Sequence, residues 1–172
     1  MKKTILILSI ITLFFAGCKK DDIFEEGTMG AVDGHIYVDL GLPSGLKWAT
    51  CNVGADSPEE YGDYFAWGET ETKKSYTIEN NITYGKYIDD FSGIPQYDAA
   101  TANWGANWRM PTKEETMELR NNCTWTWISQ DGIELYKITG TNGASIFIPC
   151  AGHFSSSKLY ADGTPCYWTS TP

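Results

Sequence analysis

The chain has 172 residues, with 13 Lys and Arg against 22 Asp and Glu for a net charge of −9, and 14% of its residues are aromatic. This length suits one domain with a sizeable core and is short for two. The acidic balance repels nucleic acid and anionic lipid and so excludes nucleic-acid binding, while the aromatic content with 17 glycines points to a folded, turn-rich globule.

At the N-terminus, Lys2 and Lys3 precede an apolar run from Ile5 to Phe15 that ends at Ala16-Gly17-Cys18. A charged start and a short apolar core make residues 1–17 a secretory signal, too short to span a membrane in the ordinary way. The stretch "LFFAGC" resembles a bacterial lipobox, which implies cleavage before Cys18 and lipid on its sulfur; a plain cleaved signal is the alternative. Cleavage removes Lys2 and Lys3, leaving 11 cations against 22 acids and a mature net charge of −11. "CKKDD" resembles the export tag of Bacteroidetes-type lipoproteins, which implies a lipid-anchored protein of the outer membrane, exposed on the cell surface. Residues 18–33 read as a tether, and 34–172 as a single domain.

With Cys18 lipidated, Cys51, Cys123, Cys150 and Cys166 remain, and an even number in an oxidising compartment favours disulfides over buried free thiols. Three pairings are possible. The expected one joins Cys51, after the strand carrying Trp48, to Cys123 at a helix end, and Cys150 to Cys166; the first bond would close a long loop worth about 4 kcal/mol. No CxxC and no zinc-spaced Cys/His cluster is present, so no metal and no cofactor are expected.

In "HIYVDLGLPSGLKWATCNVG" (35–54), Ile36, Val38 and Leu40 alternate with polar or amphipathic neighbours, the chain turns at Pro43-Ser44-Gly45, and Leu46 and Trp48 resume the pattern, predicting a hairpin. "YGDYFAWGE" (61–69) predicts a short aromatic strand, and residues 70–100 lack periodicity and read as a long surface loop. "WRMPTKEET" (108–116) holds a capping box, Thr112 with Glu115, directly after a proline that cannot lie inside a helix. A helix therefore starts here, with Thr116, Leu119 and Cys123 on one face. Trp108-Arg109-Met110-Pro111 reads as the bracket that seats this helix against a sheet, with Arg109 pairing a carboxylate or a helix-end carbonyl. "GIELYKITGTNGASIFIP" (132–149) predicts a second hairpin around Gly140-Thr141-Asn142-Gly143.

Five ordered blocks, "VDLGLPSGLKWATCNVGA", "PEEYGDYFAWGE", "WGANWRMPTKEE", "NNCTWTW" and "YWTSTP", resemble the signature blocks of the Fibrobacter succinogenes major paralogous domain, abundant in Bacteroidetes surface lipoproteins. "NWRMPTKEE" also resembles a block of the formylglycine-generating enzyme family, whose fold is related to the C-type lectin fold. The resemblance implies an α+β architecture that is C-type lectin-like or sulfatase-modifying-factor-like, an irregular mixed sheet with one or two helices and long loops. It also implies truncation at the C-terminus, since family members continue past "YWTSTP" while this chain stops at Pro172, after what reads as a core strand carrying Trp168.

The chemistry of the related enzymes finds no match in these residues. Their oxidising members use a close cysteine pair and related iron enzymes a His/His/Glu set, whereas Cys150 and Cys166 are far apart in sequence and His35 and His153 are isolated. The calcium motifs of C-type lectins, a Gly-x-Ser-x-Gly elbow and a phosphate-binding glycine loop are likewise missing from the sequence. Among Glu59, Glu60, Asp63 and Glu69 only a separation in space could identify a hydrolytic carboxylate pair. The expectation is a non-catalytic binding or adhesion module for a glycan or a protein; the alternatives are a degenerate enzyme related to the sulfatase-modifying factors and a structural subunit of a surface appendage. Trp48, Trp108 and Trp168 are assigned to packing, and Tyr84, Tyr87, Tyr97 and Trp104 in the irregular stretch to ligand contact.

Lipid anchoring has a direct test. Labelled palmitate should appear on the wild-type chain and vanish in Cys18→Ala, because more than one acyl chain, at about 0.8 kcal/mol per buried CH₂, makes a stable anchor; equal labelling of both proteins would reject it.

Overall fold

The computed structural model describes residues 28–130, 132–155, 158–160, 163 and 165–172. The signal, Cys18 and the first part of the tether lie outside the described residues. Among those described, the chain is α+β, with three small antiparallel sheets and two helices. Every described strand pair joins consecutive strands and is antiparallel, so separate small sheets replace the single mixed sheet implied by the resemblance.

The first sheet contains β1 (Met29–Val32), β2 (His35–Asp39) and β3 (Lys47–Ala49). β1 falls in the stretch assigned to the tether, so the domain begins before residue 34. Its sequence signal is Asp33-Gly34: both residues take positive φ, 49° and 83°, as a two-residue hairpin turn requires. The β2–β3 hairpin forms as expected, with Gly45 at φ 72° donating its amide to Leu42 O across Pro43 and Ser44.

Two helices follow a long irregular segment. The short α1 (Ala99–Trp104) is capped by Asp98, and α2 (Lys113–Asn122) by the predicted capping box, with Thr112 accepting from the Glu115 amide and Glu115 from the Thr112 amide. The second sheet is β4 (Thr124–Gln130), β5 (Ile133–Thr139) and β6 (Ser145–Pro149); β5–β6 is the second expected hairpin. β7 (His153–Ser155) and β8 (Lys158–Tyr160) form the third.

Val38, Leu40 and Leu42 from the first sheet and its turn meet Leu119 of α2 and Ile138, Ala144 and Ile146 of the β5–β6 hairpin in one core. Polar ties hold these parts in register. The Ser44 hydroxyl and amide donate to Glu118 of α2, and Asn142 Nδ2 donates to Asp39 O at 2.8 Å. The β5–β6 turn lies so close to Leu40 that a Cβ on Gly140 would stand 2.0 Å from Leu40 O, which leaves glycine as the residue that fits.

Two expected features differ. Residues 61–69 are irregular with a turn at Trp67-Gly68 instead of a strand, their amides and rings being bonded to loop segments, as in Asp63 N to Val53 O at 2.7 Å. Residues 70–100 are irregular as expected but are more than a surface loop. Phe91 is fully buried against Trp67, with ring centroids 5.0 Å apart, and Asp98 is 0% exposed.

Asp98 explains how the bracket is held. Its carboxylate accepts the amides of Gly93 (2.8 Å), Thr101 (2.9 Å) and Met110 (2.8 Å). Thr101 donates its hydroxyl to Trp108 O at 2.7 Å, and Trp108, 8% exposed, donates its indole N–H to Val32 O of β1. Arg109 makes the expected carboxylate pair, two-pronged onto Glu115 at 2.7 and 2.6 Å, which holds the Glu115 carboxyl below the usual range.

Replacement of Asp98 by Ala strands the buried Thr101 amide and the part-buried Gly93 and Met110 amides, so a loss of about 2–3 kcal/mol is expected in urea unfolding. Asp98→Asn keeps the cap to Thr101 but aims its NH₂ at the Gly93 and Met110 amides, and should recover about 1 kcal/mol at most. A loss below about 1 kcal/mol in Asp98→Ala would contradict this role.

Candidate functional site

The first sheet, the irregular segment after it, the β6–β7 connection and residues 165–168 enclose a cleft of about 1650 Å³. Its walls are rich in aromatic rings whose polar edges are bonded to backbone carbonyls. Tyr64 Oη donates to Ala151 O (2.7 Å), Trp67 Nε1 to Thr169 O (2.9 Å), Tyr167 Oη to Pro149 O (2.9 Å) and Trp168 Nε1 to Phe65 O (3.0 Å). Tyr76 Oη donates to Tyr64 O, and the Phe154 ring of β7 packs on both tyrosines, at 5.0 and 4.9 Å between centroids. The tyrosine and tryptophan rings are thereby held at their polar edges.

Two of these rings stand out into solvent. Trp168 is 55% and Tyr167 45% exposed, even though the polar atoms of both are engaged. Burial around the Tyr167 hydroxyl pushes its pKa up, so it stays neutral as donor to Pro149 O and acceptor from Asn52 Nδ2. Asn52 spends its other N–H on Tyr61 O, so its side-chain oxygen, like the exposed carboxylate of Asp63, has no partner among the described residues. Trp48 also lines the cleft; its indole N–H is shielded from water and has no partner among the described residues, a cost of about 1–3 kcal/mol.

The cleft's charges are mostly neutralised within the protein. Lys47 Nζ lies 2.7 Å from Asp39, Arg109 holds Glu115, and Glu69 is buried with Lys73 and the Ile82 amide as partners. Of the four carboxylates weighed as a hydrolytic set, Glu69 is thus engaged and Glu60 accepts the Asp56 amide. Cys166 Sγ lies 3.8 Å from His153 Nδ1, the one meeting of the lone histidines with a thiol. Among the described residues no three His, Cys, Asp or Glu side chains gather as a metal-holding group, and no helix is long and apolar enough to cross a membrane.

The residues expected to contact ligand are dispersed. Tyr84 and Tyr87, the latter 88% exposed, stand in solvent away from the cleft, and Tyr97 packs toward Phe91. Trp104 does line the cleft, but it belongs to α1 and stacks on His35 at 4.0 Å. Trp48 and Trp108 pack as assigned; Trp168 does not, since residues 165–169 form no strand and its ring faces out. Of the candidate site residues, Asn52 and Tyr167 were not singled out in the sequence, Asp63 was weighed only within a hydrolytic carboxylate set, and Trp168 was assigned to packing. The adjacent pair Tyr167-Trp168 was the available signal, because neighbours in an extended chain point to opposite sides and one core cannot bury both.

The four cysteines among the described residues, Cys51, Cys123, Cys150 and Cys166, stand as free thiols, and the structure shows neither the expected Cys51–Cys123 nor the Cys150–Cys166 bond. Each thiol has its own surroundings. Cys123 packs against the core cluster at the end of α2, Cys51 contacts the Thr50 hydroxyl, Cys150 is buried, and Cys166 is exposed beside His153. Burial raises the thiol pKa of Cys51, Cys123 and Cys150 and so lowers their thiolate fraction at neutral pH. Iodoacetamide at neutral pH should label Cys166 first in the native protein and all four after unfolding, with the other three gaining rate as pH rises. Peptide mapping that finds a Cys51–Cys123 or Cys150–Cys166 bond would overturn this.

Compared with models of known families, with curated proteins and with solved structures, the chain has no match.

Proposed function

We propose that this chain is a surface-displayed, lipid-anchored, non-catalytic binding or adhesion module that takes a glycan or protein ligand in its aromatic cleft. The observation that carries the reading is the set of rings tied at their polar edges to backbone carbonyls, with Trp168 and Tyr167 exposed at the rim. Rings fixed before a ligand arrives lose little rotamer freedom on binding, which is how pre-organised recognition surfaces gain affinity. The five sequence blocks support placing the domain with the Fibrobacter major paralogous domain and a C-type lectin-like fold, and the lipobox-like "LFFAGC" supports display at the outer membrane.

A second reading draws on one specific contact. Cys166 beside His153 is the kind of thiol and imidazole pair that nucleophilic chemistry uses, which favours the degenerate-enzyme alternative. The two readings separate on one set of variants.

Arrays of neutral and acidic oligosaccharides and of peptides, followed by fluorescence titration of the hits, should give a ligand whose affinity falls at least about tenfold in Trp168→Ala. The melting temperature should fall by only about 2–4 °C, the loss of one loop hydrogen bond from a half-exposed ring, and Cys166→Ser should bind as the wild type does. Ligand recovered chemically altered, or no ligand sensitive to Trp168→Ala, would reject the binding-module reading.

A further inference from the structure

Resting on that reading, we infer that the ligand of the cleft is a neutral oligosaccharide. The argument starts from charge. The cations on the lining are Lys47 and Arg109, and both are bound to carboxylates of this chain, Asp39 at 2.7 Å and Glu115 through two hydrogen bonds. A uronic acid or sulfated sugar would find no open cation there, in a protein that is acidic as a whole.

A strongly basic ligand is disfavoured by the same account. Glu69 is buried against Lys73, and Glu115 is held by Arg109. Asp63 and Glu79 are left as the exposed carboxylates of the lining, two charges where a polycation needs several.

The remaining chemistry fits a chain of sugar rings. Trp168 and Tyr167 offer flat apolar faces for the C–H faces of pyranose rings, and their N–H and O–H are already committed to Phe65 O and Pro149 O. Asn52 Oδ1 and the Asp63 carboxylate are open acceptors among the described residues, suited to hydroxyl donors. The cleft, at about 1650 Å³, exceeds the volume that one small ligand fills, as an oligomer requires.

The test titrates the full chain, by intrinsic fluorescence and calorimetry, with cellohexaose, xylohexaose and mannohexaose, with a galacturonate hexamer and a heparin hexasaccharide, and with an octalysine peptide. At least one neutral hexasaccharide should bind about tenfold or more tighter than any charged probe, and raising salt about tenfold should change its Kd by less than about twofold. Trp168→Ala should weaken that binding about tenfold or more, Trp168→Phe should restore part of it, and Asp63→Ala should weaken it with unchanged melting temperature. If a charged probe binds tighter than every neutral one, and does so through Trp168, the inference falls while the binding module stands. If no probe shows binding sensitive to Trp168→Ala, the inference falls as well, and a peptide-array hit that remains sensitive keeps the binding module; without such a hit both fall.

Discussion

The carboxylate of Asp98 is the constraint on which the arrangement of this domain turns. A buried charge is tolerated only when its oxygens are satisfied, and here three backbone amides from Gly93, Thr101 and Met110 converge on it. That convergence fixes the end of the irregular segment, the start of α1 and the Trp108–Pro111 bracket relative to one another. The fixed backbone then carries further ties: Ser92 donates to Met110 O, and Ser170 donates its amide to Pro111 O and its hydroxyl to Asp90.

Through Ser170 the hub reaches the C-terminal segment that bears Tyr167 and Trp168. The segment has no strand partners, so its position rests on bonds such as Trp67 Nε1 to Thr169 O and Trp168 Nε1 to Phe65 O. Loop backbone is thus immobilised by aromatic side chains, and the side chains are aimed by the backbone that accepts from them. This mutual restraint lets a region with little regular structure present rings in set orientations.

Charge follows a similar economy. The chain is strongly acidic, yet on the cleft lining both cations, Lys47 and Arg109, and the carboxylates of Glu69 and Glu115 are matched within the protein.

Local chemistry made several elements legible from sequence. A capping box and a proline locate the start of α2, Pro43 and Gly45 the first turn, and alternation with Gly140–Gly143 the second hairpin, because each depends on residues a few positions apart. Asp33-Gly34 was equally local and would have extended the first sheet to β1. Three things required the tertiary structure. Asp98 is one aspartate among many until Gly93 and Met110 fold onto it, Trp168 looks like a core residue until its strand proves to have no partner, and four cysteines suggest disulfides until their separate surroundings are seen. Each of these depends on contacts between residues distant in the chain, and a sequence encodes such contacts only through the packing of the whole domain.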